Sequence, residues 1–254
     1  MFGTAWLNYF EGNVRVDVAP GATLAAEVPR QLQGALAVSL GRFQLGESAG
    51  GQLHQDIATA RDQELDPALR RSVQLYIEEE WRHSRELATI VRALGGELQS
   101  AHWTNGAFTA CRRLLGLKTK MMTLAIAEVI GIVYYRALAS GVGSAALATS
   151  LRRIANEESA HLDFQAAFFD HVLRCTPRAL RGAHRWLLRG AMCAIFAAAL
   201  TVLLLDHGRL LRRAGAKAIT LSRAAWRELS SRHFLETRRL AKPAKPRYAF
   251  THGP

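Results

Sequence analysis

The sequence predicts an all-α protein: an antiparallel four-helix bundle with a long crossover between its second and third helices, followed by basic C-terminal helices. Three observations lead there. Four segments repeat apolar residues at 3-and-4 spacing over lengths that suit helices rather than strands. A Glu-x-x-His pair falls on the inward stripe of two of them, as Glu80-Trp81-Arg82-His83 and, 78 residues later, as Glu158-Ser159-Ala160-His161. The net charge of +12 is unevenly spread: residues 1–173 carry 16 Lys+Arg against 18 Asp+Glu, whereas 174–254 carry 17 against 3. A near-neutral core therefore precedes a basic appendage.

At 254 residues the chain is long enough to bury a full core, and one domain with an appendage is the natural division. Residues 1–27 combine Trp6, Tyr9 and Phe10 with the alternating piece Val14-Arg15-Val16-Asp17-Val18, ended by Pro20-Gly21, and predict an extended arm on the domain. The bundle is expected over 28–174. Its first helix runs from about Pro29 to Gln63, with Leu32, Leu36, Leu40, Phe43, Glu47, Gly50, His54 and Ile57 on one stripe, so Glu47 points inward and His54 shares its face as a hydrogen-bonded core histidine. Gly46, Gly50 and Gly51 weaken that helix, and a close approach by a neighbour or a substrate would account for them.

Asp66-Pro67 supplies the cap and first turn of the second helix, and Gly95-Gly96 ends it. Extending the stripe Leu69, Val73, Tyr76 to Leu87, Val91 and Leu94 through the acidic run selects Glu80 and His83 and leaves Glu78 and Glu79 outside. Residues 95–117 form the crossover. The third helix, about Lys118–Ser140, has Met121, Leu124, Glu128, Ile132, Tyr135 and Leu138 inward, with Glu128 its single acid. After Gly141-Val142-Gly143-Ser144 the fourth helix runs to about Arg174, with Glu158 and His161 on its stripe and Glu157 off it. By this reasoning Glu79→Ala and Glu157→Ala should be nearly silent.

Two helix pairs thus repeat one scheme, a lone inward Glu followed by Glu-x-x-His. Glu47 precedes Glu80 by 33 residues and Glu128 precedes Glu158 by 30, which returns both members to similar heights of an antiparallel pair. Any one of these groups could be an ordinary buried polar residue satisfied by an arginine. Four carboxylates in one bundle core, however, repel strongly without cations to neutralise them, and residues at i and i+3 of a helix can grip one ion.

The set Glu47, Glu80-x-x-His83, Glu128, Glu158-x-x-His161 resembles the ferritin-like di-iron carboxylate superfamily, of the rubrerythrin and bacterioferritin kind, over about residues 28–174. The resemblance implies two iron ions, with manganese as the second choice. Glu47 and His83 would serve one ion, Glu128 and His161 the other, and Glu80 and Glu158 would bridge. It also implies an oxidoreductase that uses oxygen or peroxide, and it gives Tyr76 and Tyr135 a place as groups that hydrogen-bond a ligand or relay an electron, beside the plainer role of core tyrosines with satisfied hydroxyls. Departures narrow the field. The cysteines of a rubredoxin domain are absent, the chain is longer than bacterioferritin, and Ile154 stands where p-aminobenzoate N-oxygenases carry a further histidine. Acyl carrier protein desaturases and demethoxyubiquinone hydroxylase share the six-residue pattern. An apolar channel beside the metals would favour oxidation of an organic, lipid-like small molecule. A small, closed, polar site would favour a ferroxidase or peroxide scavenger, and metal loss with retained partner binding would mark a non-catalytic bundle.

Beyond the bundle, residues 175–240 are expected to form apolar and basic helices and 241–254 a disordered tail that includes Lys242-Pro243-Ala244-Lys245-Pro246-Arg247. Gly190–Leu205 has no charge, and sixteen residues are too few for a comfortable membrane span. We expect 184–205 to dock on the bundle, or on a second copy in a homodimer, with a membrane-interface helix as the alternative. Residues 206–247 would then be left to engage an anionic membrane surface or an acidic carrier protein. No nucleic-acid module accompanies the charge. Cys111, Cys175 and Cys193 form no C-x-x-C pair, which suits a reducing compartment and small core roles. With no basic and apolar leader at Met1–Trp6, the expected location is cytoplasmic, peripheral to the inner face of the membrane.

Overall fold

A computed structural model describes residues 2–13, 21–48, 67–103, 106 and 116–235, and among these the protein is helical with no strand. The chain opens with α1 (Phe2–Asn13), where an extended arm was expected. Trp6 and Phe10, four residues apart, fall on one face and are buried, with Trp6 5.4 Å from Phe164 and Phe10 6.3 Å from Tyr76 between ring centroids. Burial of two large aromatic rings stabilises a helix that local propensity leaves marginal. The alternating piece Val14–Val18 lies outside the described residues.

After the short α2 (Gly21–Ala25) come α3 (Arg30–Glu47) and α4 (Pro67–Ala93), packed against each other. The first long helix is described only to Glu47 and Ser48, so the expected positions Gly50, Gly51, His54 and Ile57 fall outside the described residues. The end of α4 is set as expected: Gly95 adopts a positive φ of 76°, and the Gly96 N–H donates to the Val91 carbonyl at 2.9 Å. Gly96 also allows the two helices to close up, because a Cβ there would sit 2.6 Å from Ala37 Cβ. Of residues 95–117, the expected crossover, only 95–103, 106, 116 and 117 are among the described residues.

The second pair is α5 (Gly116–Ala139) and α6 (Ala145–Cys175), joined through Gly143 at φ 76° and the N-cap Ser144, whose hydroxyl accepts from Leu147 N–H at 3.3 Å. These two helices pack along much of their length, with Ala125, Ile126, Val129 and Ile132 of α5 and Leu151, Ile154 and Ala155 of α6 fully buried. The core is thus built from helix stripes, as the spacing predicted.

The appendage corrects the expectation. α7 (Arg178–Val202), a π-helical turn (Leu203–His207), α8 (Gly208–Arg213) and α9 (Ala218–Ser231) follow in order. The basic end, expected to be free, docks as well as α7: Leu210, Leu211, Leu221, Ala225, Leu229, Phe234 and Leu235 are buried, and Arg232 pairs with Asp163 of α6 at 2.6 Å. By contrast α7 buries only Met192, Phe196 and Ala199. Cys175 and Cys193 are free and exposed rather than core filler, and Cys111 is outside the described residues. Among the described residues two helical stretches are long and apolar enough to cross a membrane, Lys118–Ala139 and Arg178–Arg213. The most apolar window of the first is 78% buried and belongs to the core, whereas that of the second is 22% buried.

Candidate metal centre

Each long helix of the core brings one or two acidic or imidazole groups to a common level. On α4 the stripe that buries Leu69, Val73, Tyr76 and Leu87 also buries Glu80 and His83, and on α6 the stripe of Leu151 and Ile154 continues into Glu158 and His161. Glu128 is buried in the middle of α5, and Glu47 is half-buried at the end of α3. Placing four carboxylates there costs far more than any helix propensity can offset, so the arrangement needs an electrostatic partner.

The six side chains meet in two overlapping groups. Glu47, Glu80, His83 and Glu158 can each turn a ligand atom to within 4.8 Å of the others, and so can Glu80, Glu128, Glu158 and His161. Glu80 and Glu158 belong to both. His83 Nδ1 lies 3.0 Å from Glu158 Oε1, and His161 Nδ1 lies 2.9 Å from Glu80 Oε1 and 3.2 Å from Glu158 Oε2. Both imidazoles therefore present the same nitrogen to the shared carboxylates.

Their other nitrogens reach two residues that periodicity set aside. His83 Nε2 hydrogen-bonds Glu157 Oε2 at 2.7 Å, and His161 Nε2 is 3.6 Å from Glu79 Oε2. The exchange is reciprocal: the α6 carboxylate serves the α4 histidine and the α4 carboxylate serves the α6 histidine. Arg82 ties them together, at 2.7 Å from Glu79 and 3.2 Å from Glu157. Glu79 is buried, and Glu157 is largely so, which corrects the expectation that both point away from the core. Glu79, His83 and Glu157 also lie close enough to hold an ion. Arg82 already neutralises both of those carboxylates, which makes them orienting groups for the imidazoles. The doubled pattern Glu79-Glu80-x-x-His83 and Glu157-Glu158-x-x-His161 was the signal available in the sequence.

Tyr76 and Tyr135 occupy matching positions at the two outer carboxylates. The Tyr76 hydroxyl donates to Glu128 Oε1 at 2.5 Å, and the Tyr135 hydroxyl donates to Glu47 Oε1 at 3.0 Å. Gln165 was not foreseen as a site residue, and its amide donates to the same Glu128 oxygen at 2.5 Å. Burial, and then the adjoining carboxylates, push both phenols well above the ordinary tyrosine range, so they stay protonated as donors.

The protonation pattern shows how this much acid is tolerated. Burial, then Glu80 and Glu158, raise Glu47 well above the usual carboxylate range; burial is also the main cause for Glu128, opposed by His161. Burial alone would lower His83, but its hydrogen bonds to Glu157 and Glu158 push it up to about 10, and His161 is raised for the same kind of reason. Burial would raise Glu158 and Glu157, yet the two imidazoles hold Glu158, and His83 with Arg82 and Arg153 holds Glu157, at about 2. Protons thus stand where cations would neutralise the cluster.

The donor set fits a metal. Among the described residues Glu128 Oε2 is buried without a hydrogen-bond partner, while Glu80 Oε1, His83 Nδ1 and Glu158 Oε1, also buried, have only the imidazole–carboxylate contacts given above, and all four belong to the two groups. Buried polar atoms are rarely left so without an ion or water. Mixed carboxylate and imidazole ligation suits iron, manganese or zinc, and the lack of thiolate disfavours softer ions.

A cavity of about 140 Å³ reaches Glu47, Glu80, Glu128 and Glu158, and its remaining wall is mostly apolar, including Phe43, Leu124, Ile130 and, from the appendage, Ala199, Val202 and Leu203. Gly46, one of the glycines the sequence singled out, lines it. At its rim His207, in the π-helical turn, hydrogen-bonds Ser39 at 2.7 Å, and Ser39 in turn contacts the Tyr134 hydroxyl at 2.6 Å. Comparisons of the chain with models of known protein families, with curated proteins and with solved structures found no match.

Proposed function

We propose that the chain is a ferritin-like di-iron carboxylate protein, with α3 to α6 as its four-helix bundle, and that it is an oxidoreductase acting with oxygen or peroxide on an apolar organic molecule. The observation that carries this reading is the pair of four-residue groups sharing Glu80 and Glu158, opening on an apolar cavity. Glu47 and His83 would hold one ion and Glu128 and His161 the other, and Glu80 and Glu158, common to both groups, would serve both. Iron is favoured and manganese is the alternative. When bound, the pair supplies two-electron redox chemistry toward oxygen or peroxide.

The residues of the chain do the rest. Glu157 and Glu79 fix the imidazole rings so that Nδ1 faces the shared carboxylates, the arrangement that orients metal-bound histidines in general. Tyr135 and Tyr76 hold Glu47 and Glu128 in place by hydrogen bonds. The apolar wall excludes water and admits a substrate without charge. A ferroxidase would be served better by a polar entrance for hydrated ions.

The test is anaerobic loading with ferrous iron followed by rapid mixing with oxygen or with hydrogen peroxide. The proposal expects a fast absorbance change that is lost in a Glu80→Ala, Glu158→Ala double variant. Bound iron that reacts with neither oxidant would point to a non-catalytic bundle. Steady formation of ferric product under excess ferrous iron would point to a ferroxidase.

A further inference from the structure

α7 has an apolar face that the described residues leave uncovered. Trp186, Leu187 and Leu205 are 75%, 64% and 73% exposed, and Ala194 and Ala198 between them are exposed as well. Leu187, Ala194, Ala198 and, in the π-helical turn, Leu205 follow at intervals of seven, four and seven residues and so fall on one face, with Trp186 at its edge. α9 extends it: Trp226 meets Phe196 of α7 at 5.9 Å between ring centroids, and Trp226 and Ile219 are 53% and 58% exposed. Soluble monomers seldom display an apolar patch of this extent without a partner for it.

Charge identifies the partner. No charged residue occurs from 190 to 205, while Arg178, Arg185 and Arg189 lie before that run and Arg209, Arg212 and Arg213 after it. The acids of the described part of this region are turned away. Asp206 faces Arg42 at 3.7 Å and His102 at 3.8 Å, and Glu228 faces Arg136 at 3.0 Å and Arg232 at 2.7 Å. The surface is therefore an apolar strip with tryptophan at two places and arginine at both ends. Protein-binding surfaces are on the whole about as apolar as the rest of a protein's exterior, whereas this segment has the composition of a membrane-crossing helix. Its inner stripe, Met192, Phe196 and Ala199, is buried against the protein, so lipid cannot surround it. A helix of this kind lies in the plane of the bilayer surface.

We propose that the exposed face of α7, continued by Ile219 and Trp226 of α9, seats the protein on an anionic lipid bilayer. Trp186, Leu187 and Leu205 enter the boundary between headgroups and acyl chains, and the flanking arginines pair with lipid phosphates. The same helix walls the cavity through Ala199, Val202 and Leu203. The substrate class that suits both is an apolar molecule dissolved in the bilayer, a consequence that rests on the di-metal reading.

The test is flotation of the full-length protein with vesicles of phosphatidylcholine alone or mixed with phosphatidylglycerol, at low salt and at about 0.5 M salt, where charge pairing is screened within a few ångström. The proposal expects flotation with the anionic vesicles at low salt, weaker flotation at high salt, and a drop of about tenfold or more for Ala194→Glu with Ala198→Glu. Because those two positions are exposed, circular dichroism should match the wild type. Trp186→Ser serves as a second variant, with a smaller drop. Flotation of a His83→Ala, His161→Ala variant should be unchanged, so docking and the metal reading fail separately. The proposal is overturned if the wild type stays with the soluble fraction under both lipid compositions. It is also overturned if the double glutamate variant floats as well as the wild type, or if sedimentation shows a dimer that this variant disrupts while no vesicle binding is seen.

Discussion

His83 and His161 decide the chemistry at the residue scale, since each joins a shared carboxylate on one side to an orienting carboxylate on the other. We expect His83→Ala and His161→Ala each to remove most of the bound metal. Glu79→Ala and Glu157→Ala are expected to weaken metal affinity about 10- to 100-fold, the usual cost of losing a group that orients a ligand. Chelator competition measures both, and unchanged affinity in the glutamate variants would reject the orienting role. Metal uptake must also displace protons. His83, with its pKa of about 10, and His161, raised well above the ordinary imidazole range, hold protons at neutral pH, and Glu47 and Glu128 are shifted toward their protonated forms. Apparent affinity should therefore rise from about pH 6 to about pH 8. Without metal the sign reverses for His83: its raised pKa adds stability that is complete below about 6.5 and fades as pH climbs through about 10, as thermal melts of the metal-free protein would show. The six inward residues were legible because helix spacing reports one stripe. Glu79 and Glu157 were not, because a residue flanking the stripe turns inward only when the facing helix offers it a partner, here His161 for Glu79 and His83 for Glu157.

At the scale of elements, the close contacts between helices make specific demands. A Cβ at Gly141, at the end of α5, would sit 2.0 Å from the Ala214 carbonyl oxygen, in the turn after α8. Gly141→Ala should destabilise the protein by about 1–3 kcal/mol, since backbone must move to admit the methyl group. Gly34, on the exposed side of α3 with nothing within 4 Å among the described residues, is the counterpart: Gly34→Ala should stabilise by about 0.5–1 kcal/mol. Thermal melts that rank the two the other way would contradict the packing of the appendage. Truncation after Leu205 removes His207 from Ser39 and uncovers the sites of Leu210, Leu211, Leu221 and Leu229. The shortened protein should melt earlier or aggregate, where the charge of this region had implied a segment free to engage a partner. Hydropathy ranked α7 as the segment to bury, and composition ranked 206–240 as free. Packing docks both: α9 offers a stripe that complements α5, and α7 lays Met192, Phe196 and Ala199 on the bundle while its uncharged run keeps a second apolar face outward.

For the whole molecule, the uneven charge has a structural counterpart. The near-neutral helices enclose the carboxylate cluster, and the basic segment supplies a cavity wall, a docked helix and an exposed apolar strip. An all-α architecture and the convergence of its two Glu-x-x-His pairs could be read from periodicity and spacing. The helical start of the chain could not, because Gly3, Asn8 and Gly12 weaken its local signal and its stability comes from Trp6 and Phe10 packing on distant residues. On the proposed reading the six convergent residues form a dinuclear metal site. Metal analysis of full-length protein purified without chelator and reloaded anaerobically with ferrous iron tests it most directly. About two ions per chain, falling below one in the His83→Ala, His161→Ala variant, is the expected result. Failure to retain any transition metal, or equal metal content in the wild type and the double variant, would contradict it.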